Sequence, residues 1–170
     1  MSVFLQPLQT IYANSGSVAS ILFSSIPQTY TDLVVKVSTR DTGASQHMFF
    51  DLNGTAPTGF SNTLLFGDGS STYSQRRTDG LLTFTNETSS STANTFNSMD
   101  FYIPNYTSSN YKQIILDSVT EQNGSGAYSN LMAILWRNTA AINSIGLGAA
   151  GTAFAQYSKF SLYGVLRQGI

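Results

Sequence analysis

Side chains that ionise are scarce in this sequence of 170 residues. There is no cysteine, His47 is the only histidine, and 10% of the residues are charged. The absence of cysteine excludes thiol nucleophiles and zinc sites built on thiolates. Because acid–base and nucleophilic catalysis depend on ionisable groups with shifted pKa values, the composition favours a protein that makes contacts over an enzyme. We predict no catalytic residues, no metal ligands and no cofactor.

The charges that are present nearly cancel. Eight Lys and Arg residues against nine Asp and Glu residues give a net charge of −1. Proteins that bind nucleic acid or anionic membranes concentrate basic residues, because contacts with phosphates release counterions. The basic residues of this chain are scattered apart from the pair Arg76–Arg77. We therefore expect neither a nucleic-acid partner nor a membrane partner.

Long apolar runs are also missing. The N-terminus has no basic stretch followed by an apolar one, and no segment reaches the ~18 apolar residues that span a bilayer. These features predict a chain without a signal peptide that folds in a cytoplasm. We expect residues 1–8 to form an N-terminal arm and residues 9–170 to form a single domain.

Alternation of apolar and polar residues dominates the rest of the chain. Met99, Phe101 and Ile103 share one face of a predicted strand, and the polar residues between them share the other. Turn sequences such as Asn53-Gly54 separate these segments, since Asn-Gly accepts the positive φ values of tight hairpins. The strands predicted in this way are 18–23, 33–39, 48–52, 96–103, 111–120, 131–137, 142–147 and 160–166.

Many short strands separated by turn signals predict an all-β fold. We expect a β-sandwich of jelly-roll type in a single domain. Residues 33–37 are more continuously apolar, so this strand is expected to be covered on both sides. The longest polar segment, 85–95, is predicted to be a surface loop within the domain and not a linker.

One segment combines an aromatic residue with several polar side chains. The candidate ligand or partner residues of this segment are Asp68, Tyr73, Arg76, Arg77 and Asp79. Sugar sites use an aromatic platform together with polar groups for the hydroxyls, which makes the segment a candidate glycan site. The alternative is that its aromatic residue packs on the strands. The start of the segment, 67–71, resembles part of a calcium loop, but its single carboxylate favours a hairpin turn.

Catalytic arrangements have little support in the sequence. His47 lies opposite Met48, Phe50 and Leu52 on its predicted strand, which indicates a half-exposed histidine without a catalytic part. A glycosidase needs two carboxylates across a cleft, and only the fold could bring two together. The aspartates considered for such a pair are Asp51, Asp68, Asp79, Asp100 and Asp117.

Four segments resemble small virion proteins of tailed bacteriophages, which are described as head-decoration or tail-fibre-like proteins. The segments are 21–34 (ILFSSIPQTYTDLV), 104–106 (PNY), 136–142 (WRNTAAI) and 160–165 (FSLYGV). The resemblance extends from Ile21 to Val165. Its motifs mark strand starts and turns and contain no catalytic constellation.

The resemblance implies a non-enzymatic structural protein of the virion, assembled in the host cytoplasm. A fibre protein normally needs a shaft or an anchoring segment before its tip, whereas strands are predicted here from residue 18 onward. We therefore expect a head decoration (cement) protein that binds the major capsid protein and other virion proteins, and virion symmetry implies a homotrimer. The alternative is a receptor-binding tail-fibre or tail-tip protein that recognises a host-surface glycan through residues 67–79. A hydrolase is the third alternative.

Overall fold

A computed structural model describes residues 3–15, 17–44, 47–55, 59–78, 83–123, 126–150 and 152–167. Across these ranges the chain forms twelve β-strands and no α-helix, which confirms the all-β prediction. The strands are β1 (Val3–Tyr12), β2 (Ser20–Phe23), β3 (Asp32–Ser38), β4 (His47–Leu52), β5 (Phe60–Gly67), β6 (Thr72–Arg77), β7 (Thr83–Thr85), β8 (Ser98–Pro104), β9 (Lys112–Thr120), β10 (Tyr128–Trp136), β11 (Ile145–Ala149) and β12 (Lys159–Arg167).

The strands form two antiparallel sheets of unequal size. The larger sheet has eight strands in the order β1-β12-β3-β8-β9-β10-β5-β6, and the smaller has four in the order β2-β11-β4-β7. The sheets pack face to face, and Phe50 of β4 stacks on Phe101 of β8 with ring centroids 4.8 Å apart. The architecture is therefore a β-sandwich, as the strand pattern predicts.

The larger sheet consists of four strands extended by two hairpins, β9–β10 and β5–β6. If β5–β6 and β9–β10 are set aside, the sheets read β1-β12-β3-β8 and β2-β11-β4-β7. Eight strands divided in this way between two sheets are compatible with a jelly roll, which is built from two Greek keys. The jelly-roll assignment stays a prediction that this order supports.

The core lies between the sheets and is built from alternate residues of the strands. In β9, Ile114 and Leu116 are buried, whereas Ile115 between them is 52% exposed. Burying an apolar side chain of this size is worth ~1.5–3 kcal/mol, so the inward residues supply most of the stabilisation. The largest hydrophobic side chains of the core are Trp136, Tyr106, Phe23, Phe50, Phe60, Phe101, Phe154 and Phe160.

Eight of the strands match the predicted set, with differences of a few residues at their ends. They are β2, β3, β4, β8, β9, β10, β11 and β12. The prediction that 33–37 is covered on both sides is wrong, because Lys36 is exposed and Val34 is half-buried on the outer face of β3. Strands β1, β5, β6 and β7 lie outside the predicted set.

Residues 3–8, predicted to be part of an arm, lie in the larger sheet. They belong to β1, which pairs with β12 from Val3 opposite Arg167 to Tyr12 opposite Lys159. The register shifts between Pro7 and Gln9. Proline has no N–H to donate to a neighbouring strand, and it is tolerated here because β1 is an edge strand. The predicted division at residue 8 falls inside this strand.

The polar segment 85–95 begins in β7 and continues as a loop that is partly buried. Glu87, Thr88 and Ser91 are among its buried residues. Arg40 donates hydrogen bonds from its guanidinium to the Ser91 carbonyl at 3.0 Å and to the Thr92 carbonyl at 2.8 Å. The segment is therefore a loop of the same domain, but it is held against the sandwich more closely than a surface loop.

A buried lysine joins two other loops. Lys112 is 1% exposed, and its ammonium, with three N–H donors, lies within hydrogen-bond distance of four main-chain carbonyls. Ser108 and Asn110 supply two of them, at 2.6 and 2.8 Å, and Thr139 and Ala140 supply the others, at 3.2 and 2.7 Å. Because a buried ammonium needs acceptors for its protons, this geometry satisfies the lysine and fixes both loops.

We predict that Lys112→Met destabilises the protein by about 1.5–3 kcal/mol, because it removes the buried ammonium whose contacts with four main-chain carbonyls join two loops. Lys159→Met is a matched control. Both ammonium groups lie over an aromatic ring, Lys112 over Trp136 at 5.6 Å and Lys159 over Tyr12 at 5.7 Å, but Lys159 is exposed. Denaturant unfolding measures both variants, and equal losses of stability in the two would contradict the assigned role of Lys112.

Candidate functional site

The difference in width between the sheets leaves a cavity beside the β5–β6 hairpin. The smaller sheet ends at β7, which contacts β9, and the larger sheet continues beyond it with β10, β5 and β6. The cavity that forms there, which we call the hairpin cavity, has a volume of about 230 Å³. It is lined by His47, Asn62, Leu64, Phe66, Gln75, Arg77, Thr85, Tyr128, Asn130 and Met132.

Strand register explains why residues so far apart in the sequence meet in this cavity. On β5 and β6, Asn62 is opposite Arg77 and Leu64 is opposite Gln75. On the other side of β5, Leu64 is also opposite Met132 of β10. Alternate residues of these three strands therefore share the inner face of the sheet, and His47 and Thr85 join them from paired positions at the edge of the smaller sheet.

Two aromatic rings, Phe66 and Tyr128, form one wall of the cavity, and Tyr73 packs against this wall. Phe66 stacks on Tyr73 with centroids 4.8 Å apart and an interplanar angle of 19°. Phe66 also meets Tyr128 edge-on at 6.2 Å and 61°. Offset-stacked and edge-to-face pairs are favourable geometries for aromatic rings, so the wall is held in place by its own contacts.

The polar side chains of the cavity are held by their neighbours. Asn130 is 6% exposed and donates from Nδ2 to Ser118 Oγ at 3.2 Å. Arg77 donates from Nη2 to Gln75 Oε1 at 3.3 Å. Two of the lining residues are basic by type, Arg77 and His47, and none of the described lining residues is acidic.

The predicted ligand segment is a β-hairpin, and its side chains are divided between two faces. Tyr73 and Arg77 lie on the inner face with the cavity, because they are opposite Phe66 and Asn62 of β5. Arg76 lies on the outer face, opposite Thr63. The structure thus places Tyr73 and Arg77 on one face of the sheet and Arg76 on the other, and of these three residues only Arg77 lines the cavity. Asp79 lies outside the described residues.

Asp68 shapes the turn of this hairpin. Its Oδ1 accepts hydrogen bonds from the Ser70 amide at 2.9 Å, the Ser71 amide at 2.7 Å and the Ser70 hydroxyl at 2.8 Å. Gly69 between them has φ of +85°, a value that glycine adopts without steric cost. The amide donors of Ser70 and Ser71 hold the pKa of Asp68 below its ordinary value of 3.8. These contacts favour the turn interpretation over a calcium ligand.

The polar residues that line the cavity from β5 and β10 were not among the predicted site residues. Asn62 and Asn130 occupy inward positions of their strands, where an apolar residue is the ordinary choice. A polar residue at an inward position is a detectable signal once the strand and its register are known. His47 is exposed on the face opposite Met48, as predicted, and is among the residues that line the cavity.

Two carboxylates do become neighbours in the fold. Asp100 and Asp117 are opposite each other on β8 and β9. They lie on the open outer face of the larger sheet, where Lys36 forms an ion pair with Asp100. This arrangement differs from the facing pair of a glycosidase cleft. Within the described ranges, no group of three or more His, Cys, Asp or Glu residues is placed to hold a metal ion.

The outer face of the larger sheet carries a set of exposed apolar side chains, which we call the outer patch. Its members are Leu65, Ile115, Val119, Leu131 and Ala133. Leu131 of β10 is opposite Leu65 of β5, and Ala133 is opposite Ile115 of β9. The patch is therefore continuous across three strands.

No protein-family model matches this chain, and no curated protein or solved structure shows significant similarity to it. The resemblance to tailed-phage virion proteins therefore stays a prediction. In the part of the chain that the structure describes, no helix is long and apolar enough to cross a membrane.

We predict that the Asp68 carboxyl titrates with a midpoint below 3.8, because main-chain amides stabilise its charged form. The contribution of Asp68 to hairpin stability is then complete above pH 3.8 and is lost as the pH falls through the lowered pKa of the folded protein. NMR titration of the side-chain carboxyl measures the midpoint. Ser70→Ala, which removes one hydroxyl donor, should raise it slightly, and a wild-type midpoint at or above 3.8 would refute the assignment.

Proposed function

We propose that this chain is a non-enzymatic structural protein of a tailed-phage virion, and specifically a head decoration protein that docks on the capsid shell. The observation that carries the proposal is the outer patch. Isolated apolar residues on a protein surface are ordinary, but a contiguous set is typical of a site of protein interaction. The proposed partner is the outer surface of the shell formed by the major capsid protein.

The outer patch breaks the pattern that the fold itself requires. An antiparallel sheet with one face in water needs apolar residues on the inner face only. In β9, however, Ile115 on the outer face stands between the buried residues Ile114 and Leu116. In β10, Leu131 and Ala133 likewise face outward on either side of buried Met132. These exposed side chains contribute little to the stability of the fold, so contact with another molecule explains them better than packing within the chain.

The charged residues near the outer patch also suit a partner surface that carries both apolar and charged groups. Asp117 lies within it, opposite Leu131 on the neighbouring strand. Arg76 lies on the same face of the sheet in β6, at its edge. One charge of each sign beside an apolar centre is typical of an interface with a hydrophobic core and a polar rim.

The opposite edge of the larger sheet supports self-association, which we propose gives a homotrimer. β1 forms that edge, and Phe4 and Leu5 on it are 55% and 48% exposed. Leu166, opposite Phe4 on β12, is 43% exposed. Exposed apolar edges are prone to pair with other chains, and proteins usually cover them. We therefore propose that neighbouring copies cover the β1 edge while the outer patch meets the shell.

The second candidate function is that of a receptor-binding tail-tip protein that recognises a host-surface glycan. One observation favours it: the hairpin cavity combines an aromatic wall with amide and guanidinium side chains, which is the composition of sugar sites.

The docking proposal predicts that Leu131→Asp weakens binding to the shell at least about tenfold, because a desolvated aspartate replaces an apolar contact. Leu22→Asp is the matched control, since Leu22 is similarly exposed, at 57% against 53%, but belongs to the smaller sheet. Co-sedimentation with capsid shells assembled without this protein measures both affinities, after circular dichroism has shown that both variants fold. The proposal fails if wild-type protein does not bind the shells or if the two variants bind equally well.

A further inference from the structure

We propose that the hairpin cavity binds a saccharide ring that carries a carboxylate, of the uronic acid class. The inference rests on the glycan-recognition candidate above, and it does not depend on the docking of the outer patch. It assigns a ligand class to a site that the fold creates where the larger sheet extends past the smaller one.

The size of the cavity suits a small ligand. The cavity is a cleft open to solvent, and its space of about 230 Å³ is enough for several water molecules. It is also smaller than the ~300–1,000 Å³ that drug-sized ligands occupy. One sugar ring matches this scale.

The walls of the cavity match the two kinds of surface on a sugar ring. A pyranose has C–H groups on its faces and hydroxyl groups around its rim. Phe66 and Tyr128 supply aromatic surface for the faces. Asn62, Gln75 and Asn130 supply amides, each of which both donates and accepts hydrogen bonds, as hydroxyl groups require.

The charge of the lining selects the class of sugar. Arg77 carries a permanent positive charge and a planar set of N–H donors that matches a carboxylate. Gln75 accepts a hydrogen bond from this guanidinium and holds it at the cavity. Among the described residues that line the site none is acidic, so an anionic ring meets no carboxylate among them, whereas a cationic amino sugar meets like charge. We expect a uronate to bind at least about tenfold more tightly than the neutral hexose of the same ring stereochemistry.

The experiment compares matched sugars on matched variants of the whole chain. The probes are the methyl glycosides of glucuronic, galacturonic and mannuronic acid, each paired with its neutral hexoside, and NMR chemical-shift titration gives the dissociation constants. Arg77→Gln removes the guanidinium on the inner face, while Arg76→Gln removes the neighbouring guanidinium on the outer face. We expect at least one uronate to be preferred, with the preference lost in Arg77→Gln and kept in Arg76→Gln.

Three other outcomes would overturn the inference in distinguishable ways. Equal affinity for a uronate and its neutral partner, with no effect of Arg77→Gln, would refute the preference for a carboxylate-bearing sugar but not glycan recognition itself. Equal loss in the two arginine variants would show that the sugar binds through general charge and not in the cavity. No binding of any sugar at millimolar concentration would reject the glycan-recognition candidate as well, and it would have no bearing on the proposal that the outer patch docks on the capsid shell.

Discussion

A four-stranded sheet cannot cover an eight-stranded one, and the rest of the structure depends on this mismatch. Neighbouring strands lie ~4.7–4.9 Å apart, so the larger sheet is wider by about 19 Å. At one end of the excess strands, Trp136 is buried on the inner face, with its indole N–H donating to Thr55 Oγ1 at 3.3 Å. At the other end nothing comparable covers the strands among the described residues, and the hairpin cavity remains.

The same strands supply both surfaces to which we assign a role. In β5, Leu65 points outward into the outer patch, whereas Leu64 and Phe66 point inward to the hairpin cavity. Because successive side chains of a strand face opposite sides, contact on one side leaves the other side accessible. A copy docked by the outer patch would therefore keep its cavity away from the shell. Structural attachment and ligand binding are compatible in one small sandwich for this reason.

Alternation of apolar and polar residues predicts a strand well only where one face of the strand is buried and the other is exposed to solvent. β9 alternates strictly between buried and exposed residues and was predictable, whereas all six residues of β6 are exposed and show no alternation. In β1, the register shift between Pro7 and Gln9 disrupts the period of two. The candidate site was predictable in part for the same reason. Tyr73 and Arg77 were identified, but only the register of β6 separates them from Arg76.

We propose that the outer face of β9, β10 and β5 docks on the shell of a virion. A cryo-electron microscopy reconstruction of particles that contain this chain tests it most directly, because the fold can be placed in the density as a rigid body. We predict density on the head, with Ile115, Leu131 and Leu65 against the capsid protein and the β1 edge against a neighbouring copy. Density at the tail tip, or a head-bound copy with this sheet face open to solvent, would contradict the account.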